Sequence, residues 1–310
     1  YRARLKVFQS FTHSLAWAVG HDGRIHPSFL AHGTGSGRFS GKDPNFQNIP
    51  KRHKILSTMV RKAWFVRKDW ARLFLDYSQV ELRVLAHGTQ CRSLQAAYQS
   101  DAYEAYLRKE LTYDQYRWAR RSEPVVDVHG LTAKQVFHVM ETDPTWDYQR
   151  RVSKKVNFGV PYGGGAPLLM GDPDIRMSED DAKDFLRRYH YARPEINATK
   201  QRLFDTMRSR NGTPWFMNWA GLKVHGPRLR SSDEEQQAEE ERSMFACYIQ
   251  GGAGMFTRIS LVRWYIRYME GSFPAVATST VHDEIAFDCE ERFVPYVASE
   301  AQRFMEDFPV

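Results

Sequence analysis

Cysteine is scarce: Cys91, Cys247 and Cys289 are the only three in 310 residues, and none shares a CxxC spacing with another. So few scattered thiols exclude a disulfide scaffold and a zinc ribbon, and they fit a reducing intracellular setting. Long apolar runs are also missing. Lys and Arg break every hydrophobic stretch well before bilayer length, and mean hydropathy is −0.58, which excludes a membrane span. The opening YRARLKVFQS has no apolar segment of the kind a secretory signal needs. Internal repeats and low-complexity tracts are absent, apart from one acidic run at 233–241 (DEEQQAEEE).

What is present points to a folded, moderately basic protein. Hydrophobic residues make up 42% and charged residues 26%, a globular balance, and the length suggests two or three subdomains. Lys and Arg number 44 against 37 Asp and Glu, a net charge of +7 with a pI near 9.2. This is compatible with a polyanionic partner without demanding one. The positive charge gathers in 2–72 and 108–155, while the acidic run reads as the solvated start of a helix, where the dipole favours acids.

Patterning gives a coarse map. Residues 23–50, rich in Gly, Ser, Asn and Pro, read as an ordered loop-dominated segment. Arg72–Asp76 has the apolar run of a buried strand, with a helical pattern from Gln79 to His87. A helix-rich stretch covers roughly 90–210. Strands at 276–281 and 285–289 flank His282-Asp283-Glu284 as a tight hairpin, with helices at 236–249, 253–270 and 291–307. The expected class is α+β: an antiparallel sheet carrying carboxylates at its strand ends, with a large helical insertion.

Two features carry chemistry. Asp76 stands where a buried strand emerges and Asp283 at a hairpin tip more than 200 residues later. Acids at strand ends can hold Mg²⁺, which takes one or two carboxylates plus water and phosphate oxygens. Two ions roughly 3.5–4 Å apart can clamp the attacking and leaving oxygens of a phosphoryl displacement. Taken alone, each Asp reads equally as a cap or a turn closer. The second feature is RRVSKKVNFGVPYG (150–163), in which Arg150, Lys154, Phe158 and Tyr162 recur every four residues. On a helix each step drifts about 40°, giving one slanted stripe of two cations and two rings, with Val152 and Val156 off the stripe to pack it down. Cations suit a triphosphate and rings suit a sugar and base, while the plainer reading is a solvated basic face.

In order along the chain, GRFSGKDPNFQNIP (37–50), DYSQVELR (76–83), RRVSKKVNFGVPYG and VHDE (281–284) resemble the conserved segments of the DNA polymerase I family, the family-A DNA polymerases. The likeness runs from about residue 22 to the last helix. It implies a right-hand polymerase: palm in 1–88 with the tail of the thumb, fingers in 89–232, and the second part of the palm in 233–310. Most of the thumb is then expected before Tyr1 and a final strand after Val310.

The resemblance implies roles residue by residue. Asp76 and Asp283 bind two Mg²⁺ ions (Mn²⁺ as a substitute), joined by the backbone carbonyl of Tyr77, with Glu284 a nearby acid and His282 close to the primer end. Arg150, Lys154 and His129 contact the incoming triphosphate, and Lys154 is placed to protonate the pyrophosphate leaving group. Phe158 packs beside the sugar and Tyr162 guards the template-base position. Glu81 acts as a steric gate against a 2′-hydroxyl, or else is a surface acid paired with Arg83 or Arg150; Gln79 supports this dNTP site. Arg38, Asn45, Gln47, Arg242 and Gln250 follow the duplex minor groove, whose acceptors barely depend on sequence.

The chain departs from the family pattern at Pro161, which should kink or end the helix before Tyr162, at Ala246 and Met255, and in a long stretch at 91–127 with no assigned role. The expected activity is template-directed addition of dNTPs to a primer 3′-hydroxyl. Primer–template DNA and dNTPs are the expected partners, along with upstream thumb and exonuclease domains and replication accessory proteins. An RNA polymerase, a catalytically dead nucleic-acid-binding subunit and a metal-dependent nuclease are the competing readings. Glu81 with the QNIP segment, the joint presence of both aspartates with Arg150 and Lys154, and the cation–aromatic stripe argue against each in turn.

Overall fold

The computed structural model describes residues 14–45, 47, 65–123, 126–173, 175–219, 221–306 and 308. Helices are α1 (Ser14–Trp17), α2 (Val80–Thr89), α3 (Arg92–Tyr98), α4 (Asp101–Leu107), α5 (Tyr113–Ser122), α6 (Val128–Phe137), α7 (Trp146–Gly159), α8 (Ala166–Met170), α9 (Glu179–Ala192), α10 (Pro194–Ser209), α11 (Glu234–Met269) and α12 (Val294–Glu306). Strands are β1 (Ser28–Leu30), β2 (Ser40–Lys42), β3 (Trp70–Asp76), β4 (Trp215–Met217), β5 (Lys223–His225), β6 (Val276–Val281) and β7 (Glu284–Glu290). The chain divides into two compact units. The first takes the described residues of Tyr1–Ser78, Met217–Val224 and Gln250–Val310; the second takes those of Gln79–Phe216 and His225–Ile249.

The first unit is built on an antiparallel sheet ordered β3-β7-β6. Strand β7 is central, and its alternation sends Ile285, Phe287 and Cys289 into a dry layer with Phe273 and with Val297, Ala301, Phe304 and Met305. Each large apolar side chain buried in this way is worth about 1.5–3 kcal/mol. Leu73 and Leu75 of β3 join the same layer, so Arg72, Phe74 and Asp76 face the other side. Arg72 lies directly across from Asp288 and donates two hydrogen bonds to it, at 2.6 and 2.8 Å. This forked ion pair marks the register, and a one-residue slip would turn every side chain of β3 to the wrong face.

Three element boundaries differ from expectation. The hairpin turn is only His282-Asp283, with Glu284 already the first residue of β7. The helices expected at 236–249 and 253–270 are one continuous α11, and its glycines are there for close approach rather than as breaks. A Cβ at Gly251 would stand 2.6 Å from Asn218 Nδ2 and 3.1 Å from the Ser36 carbonyl oxygen. The last helix begins at Val294, after a 3₁₀ turn at Glu291–Phe293.

The second unit is helical. Val152, Val156 and Val160 form the fully buried side of α7 and its exit, packed with Val136, Leu169, Ile175, Phe185 and Tyr189. The unassigned 91–127 stretch folds into α3, α4 and α5. Ser100 caps α4 and a Thr112–Gln115 capping box opens α5. Tyr103, Tyr106, Tyr113 and Tyr116 cluster between α4 and α5, with the Tyr106 and Tyr116 rings stacked at 5.3 Å. The acidic run opens α11, as its composition suggests: Asp233 accepts from the Glu235 and Gln236 amides. All three cysteines are buried and free.

Candidate active site

In the first unit the sheet brings distant carboxylates together. Asp76, the last residue of β3, lies directly opposite Glu284, and Asp283 precedes it in the turn. Because Leu75 and Ile285 point into the core, Asp76 and Glu284 project from the opposite face, where Asp76 is exposed and its two neighbours half-buried. His282 holds a left-handed backbone, φ 60°, at the hairpin tip and is exposed. The Tyr77 phenol donates to the Met305 carbonyl at 2.8 Å and meets Ser260 Oγ at 2.7 Å. Burial pushes its pKa well above the ordinary tyrosine value. The phenol is thus committed to these two partners, and the ligand expected of Tyr77 is its backbone carbonyl.

Among the described residues no group of three or more His, Cys, Asp or Glu side chains is disposed to hold a metal ion. Two carboxylates and a carbonyl at a strand end nevertheless fit a hard divalent ion that keeps water and phosphate oxygens in its shell.

In the second unit, α7 presents Arg150, Lys154 and Phe158 on the side opposite its valines. Arg150 is half-buried, while Lys154 and Phe158 are exposed. Tyr162 is not on this stripe. The α-helix stops at Gly159, and Pro161 sits in a 3₁₀ turn that Gly163 closes at φ 90°. Gly159 also gives Leu168 room, since a Cβ there would lie 2.3 Å from Leu168 Cδ2. Tyr162 donates to Glu81 Oε2 at 2.6 Å. Arg150 forks onto Asp127, Nε to Oδ2 at 2.5 Å and Nη2 to Oδ1 at 3.2 Å.

Burial works to raise the Asp127 carboxyl, but the Arg150 bond, the Gly130 amide and the charges of Arg150 and His129 outweigh it and hold it below the usual carboxylate range. Gly130 makes the placement possible, because a Cβ there would lie 2.6 Å from Asp127 Oδ2. His129 is buried, with Asn157 Nδ2 3.1 Å from its Nδ1 and the Phe158 ring 5.7 Å from its own. Its pKa is lowered chiefly by burial. Asp127 opposes that shift, and Lys154 and Arg150 add to it. Gln79 sits in a left-handed N-cap of α2 and accepts from the Tyr98 hydroxyl at 2.9 Å, so it braces the helix that carries Glu81.

The expected duplex contacts are distributed along loops and α11. Gln47 Oε1 accepts from the Gly41 amide at 3.0 Å, and Asn45 Oδ1 accepts from the Gln47 amide at 2.9 Å. The side-chain oxygens of Asn45 and Gln47 are thus bonded to the backbone of their own loop. Phe46 and 48–50 of the same segment lie outside the described residues. Arg38 is half-buried, and a Cβ at Gly254 would come 3.3 Å from its Cγ. Arg242 and Gln250 both lie on α11, and the stem of Arg242 packs over the Gly163 backbone, where a Cβ would be 2.4 Å from its Cγ. Sequence reasoning overlooked Asp127, Thr132, Asn157, Arg193 and the Arg72–Asp288 pair. Only the capping position of Asp127 and the cross-strand pairing of opposite charges left a trace in the sequence.

Comparison with known proteins bears on this arrangement. The chain is 28% identical over 291 residues to DNA polymerase I of Treponema pallidum, covering 93% of this chain and 26% of that protein. It is 30% identical over 286 residues to the thermostable DNA polymerase I of Thermus thermophilus, covering 92% of this chain and 30% of that one. It therefore spans about a quarter to a third of the length of these relatives. Its fold is that of the POL domain of Pol1 from M. smegmatis, solved in complex with DNA primer-template and dNTP. That match has a TM-score of 0.81 at 23% identity and covers all of this chain and 49% of the other. The sequence model of DNA polymerase family A matches residues 1–310, and the chain belongs to that family.

Proposed function

We propose that this chain carries the nucleotidyl-transfer site of a template-directed DNA polymerase, which adds dNTPs to a primer 3′-hydroxyl and releases pyrophosphate. The first unit acts as palm and the second as fingers. The observation that carries the reading is the β3–β7 register, which sets Asp76 opposite Glu284 and beside Asp283. Asp76, Asp283 and the Tyr77 carbonyl would hold two divalent ions, Mg²⁺ or Mn²⁺, whose chemistry would be to lower the pKa of the 3′-hydroxyl and offset charge on the reacting phosphates.

The remaining roles fall to groups of known position. Arg150, Lys154 and His129 bind the triphosphate, and Lys154 holds the proton that the pyrophosphate takes as it leaves. Phe158 flanks the sugar. Glu81 crowds the 2′ position, a clash that rejects ribonucleotides by shape. Its bond to Tyr162 holds that carboxylate in a single direction. Gln79 braces the helix under Glu81, and Glu284, opposite Asp76, would be a further acid near the metal ligands. Arg38, Asn45, Gln47, Arg242, Gln250 and His282 meet primer–template DNA through groups that test pair shape rather than sequence. Buried free thiols and dNTP substrates fit an intracellular setting, and among the described residues no helix is long and apolar enough to cross a membrane. The thumb, an exonuclease domain and accessory proteins belong to the proposed whole.

The test is primer extension by the full polypeptide with Mg²⁺ and dNTPs, beside Asp76→Asn. Extension by the wild type and its loss in the variant are expected. Equal extension by both refutes the assignment.

A further inference from the structure

A buried polar chain runs through the second unit from Arg193 to His129. Arg193, at the junction of α9 and α10, is 0% exposed and lies 4.6 Å from the centre of the Tyr189 ring. Its Nη2 donates to Thr132 Oγ1 at 2.7 Å. Thr132, also 0% exposed, has one hydroxyl hydrogen and two carbonyl-type acceptors in reach: the Val128 carbonyl one turn back at 2.8 Å, and Asn157 Oδ1 at 3.2 Å. The shorter contact takes the hydrogen. Both lone pairs then accept, one from Arg193 and one from Asn157 Nδ2 at 2.9 Å. This orients the Asn157 amide, whose second N–H faces His129 Nδ1 at 3.1 Å. An NH₂ group can only donate, so Nδ1 must accept, and the imidazole proton belongs on Nε2.

We propose that Asn157, seated on Thr132, is a positioning residue that holds His129 in its neutral Nε2–H tautomer and so presents the triphosphate with a hydrogen-bond donor. This deepens the polymerase reading and rests on it. The alternative arrangement has the opposite polarity. If the amide turned over, Asn157 Oδ1 would face Nδ1, the proton would move to Nδ1, and Nε2 would offer a lone pair to an anion. Turning the amide over would also carry both N–H donors to the place Oδ1 now holds, where Thr132 Oγ1 at 3.2 Å is the acceptor in reach, and would leave a donor unmet in a side chain only 1% exposed. Burial of His129 and the nearby charges of Lys154 and Arg150 act in the same direction, against the doubly protonated ring.

The experiment uses the full polypeptide labelled with ¹⁵N-histidine, with the His129 signals identified by their loss in His129→Gln. Long-range ¹H–¹⁵N correlations distinguish the two tautomers directly. Nε2–H is expected in the wild type and in Thr132→Ser. Asn157→Asp, which replaces the donor by an acceptor of the same shape, is expected to move the proton to Nδ1 or to charge the ring. An Nδ1–H ring in the wild type, or a wild-type ring in Asn157→Asp, overturns the proposal.

Kinetics supply the second readout. The dNTP KM should rise about tenfold in Asn157→Asp with kcat within about twofold, the loss of one hydrogen bond to a charged group. A changed tautomer with unchanged KM overturns the triphosphate role. Equal extension by Asp76→Asn and wild type would instead refute the polymerase reading and leave the tautomer result standing.

Discussion

The two compact units hold their functional groups in opposite ways. In the first, Asp76 projects from a sheet whose register is marked by the Arg72–Asp288 fork and whose other face is sealed by Phe287 and its neighbours. In the second, Arg150, Tyr162 and His129 each already have a protein partner: Asp127, Glu81 and Asn157. Under the proposed function, metal ligands would have to converge closely, and a pleated backbone would supply that convergence. Groups proposed for a mobile triphosphate would be better served by partners that orient them and can be exchanged when a phosphate arrives.

That contrast can be broken experimentally, and the largest effect should come from the sheet. Asp76→Asn should lower the primer-extension rate by about three orders of magnitude, the several kcal/mol a metal clamp supplies, with Glu284→Gln much milder; single-turnover extension measures both. On the helix, Lys154→Met should reduce kcat by about a hundredfold through lost proton donation, with a shallower pH–rate profile as the check. Glu81→Ala should raise ribonucleotide incorporation by about tenfold or more while leaving dNTP addition slower, because it removes both the clash and the Tyr162 acceptor. Competition between rNTP and dNTP reads this out, and an unchanged sugar preference removes the gate. Arg72→Ala should destabilise the first unit by about 2 kcal/mol, since it leaves Asp288 half-buried without its fork, and urea denaturation measures this.

The smallest predicted effect separates the units by pH. The pKa of His129 is depressed by burial, so the unfolded chain takes up the proton first, and stability should fall as pH drops through the ordinary histidine value of about 6.5. Asp127, held low by Arg150, contributes in the same direction, but only as pH falls below the ordinary carboxylate range. Amide exchange in α6 and α7, corrected for intrinsic rates, should therefore quicken between pH 7 and 5.5 more than exchange in β7. Equal behaviour of the two units would contradict this.

The sheet was more legible in the sequence than the helical site. The apolar runs RLFLD and IAFDC located β3 and β7, but the stretch expected to be a buried strand at Arg72–Asp76 leaves Phe74 and Asp76 exposed and the rest only half-buried, because one of its faces is turned away from the core. The helix stripe was also visible, including the stop that Pro161 imposes. The partners of its residues were not, because Asp127 and Arg150 are 23 residues apart and Arg193 and Thr132 are 61 apart. Such contacts are set by how helices pack, which no local period encodes. The glycines of α11 misled for a related reason: locally they weaken a helix, yet here they admit Asn218 and the Ser36 backbone against it.

The hairpin tip has a consequence for evolution and engineering. A left-handed backbone suits glycine, and a side chain with a Cβ there costs about 1 kcal/mol. Keeping His282 in that conformation sacrifices thermal robustness at the residue next to Asp283. A designer seeking a hardier protein would reach first for His282→Gly, and would thereby discard the imidazole at the hairpin tip.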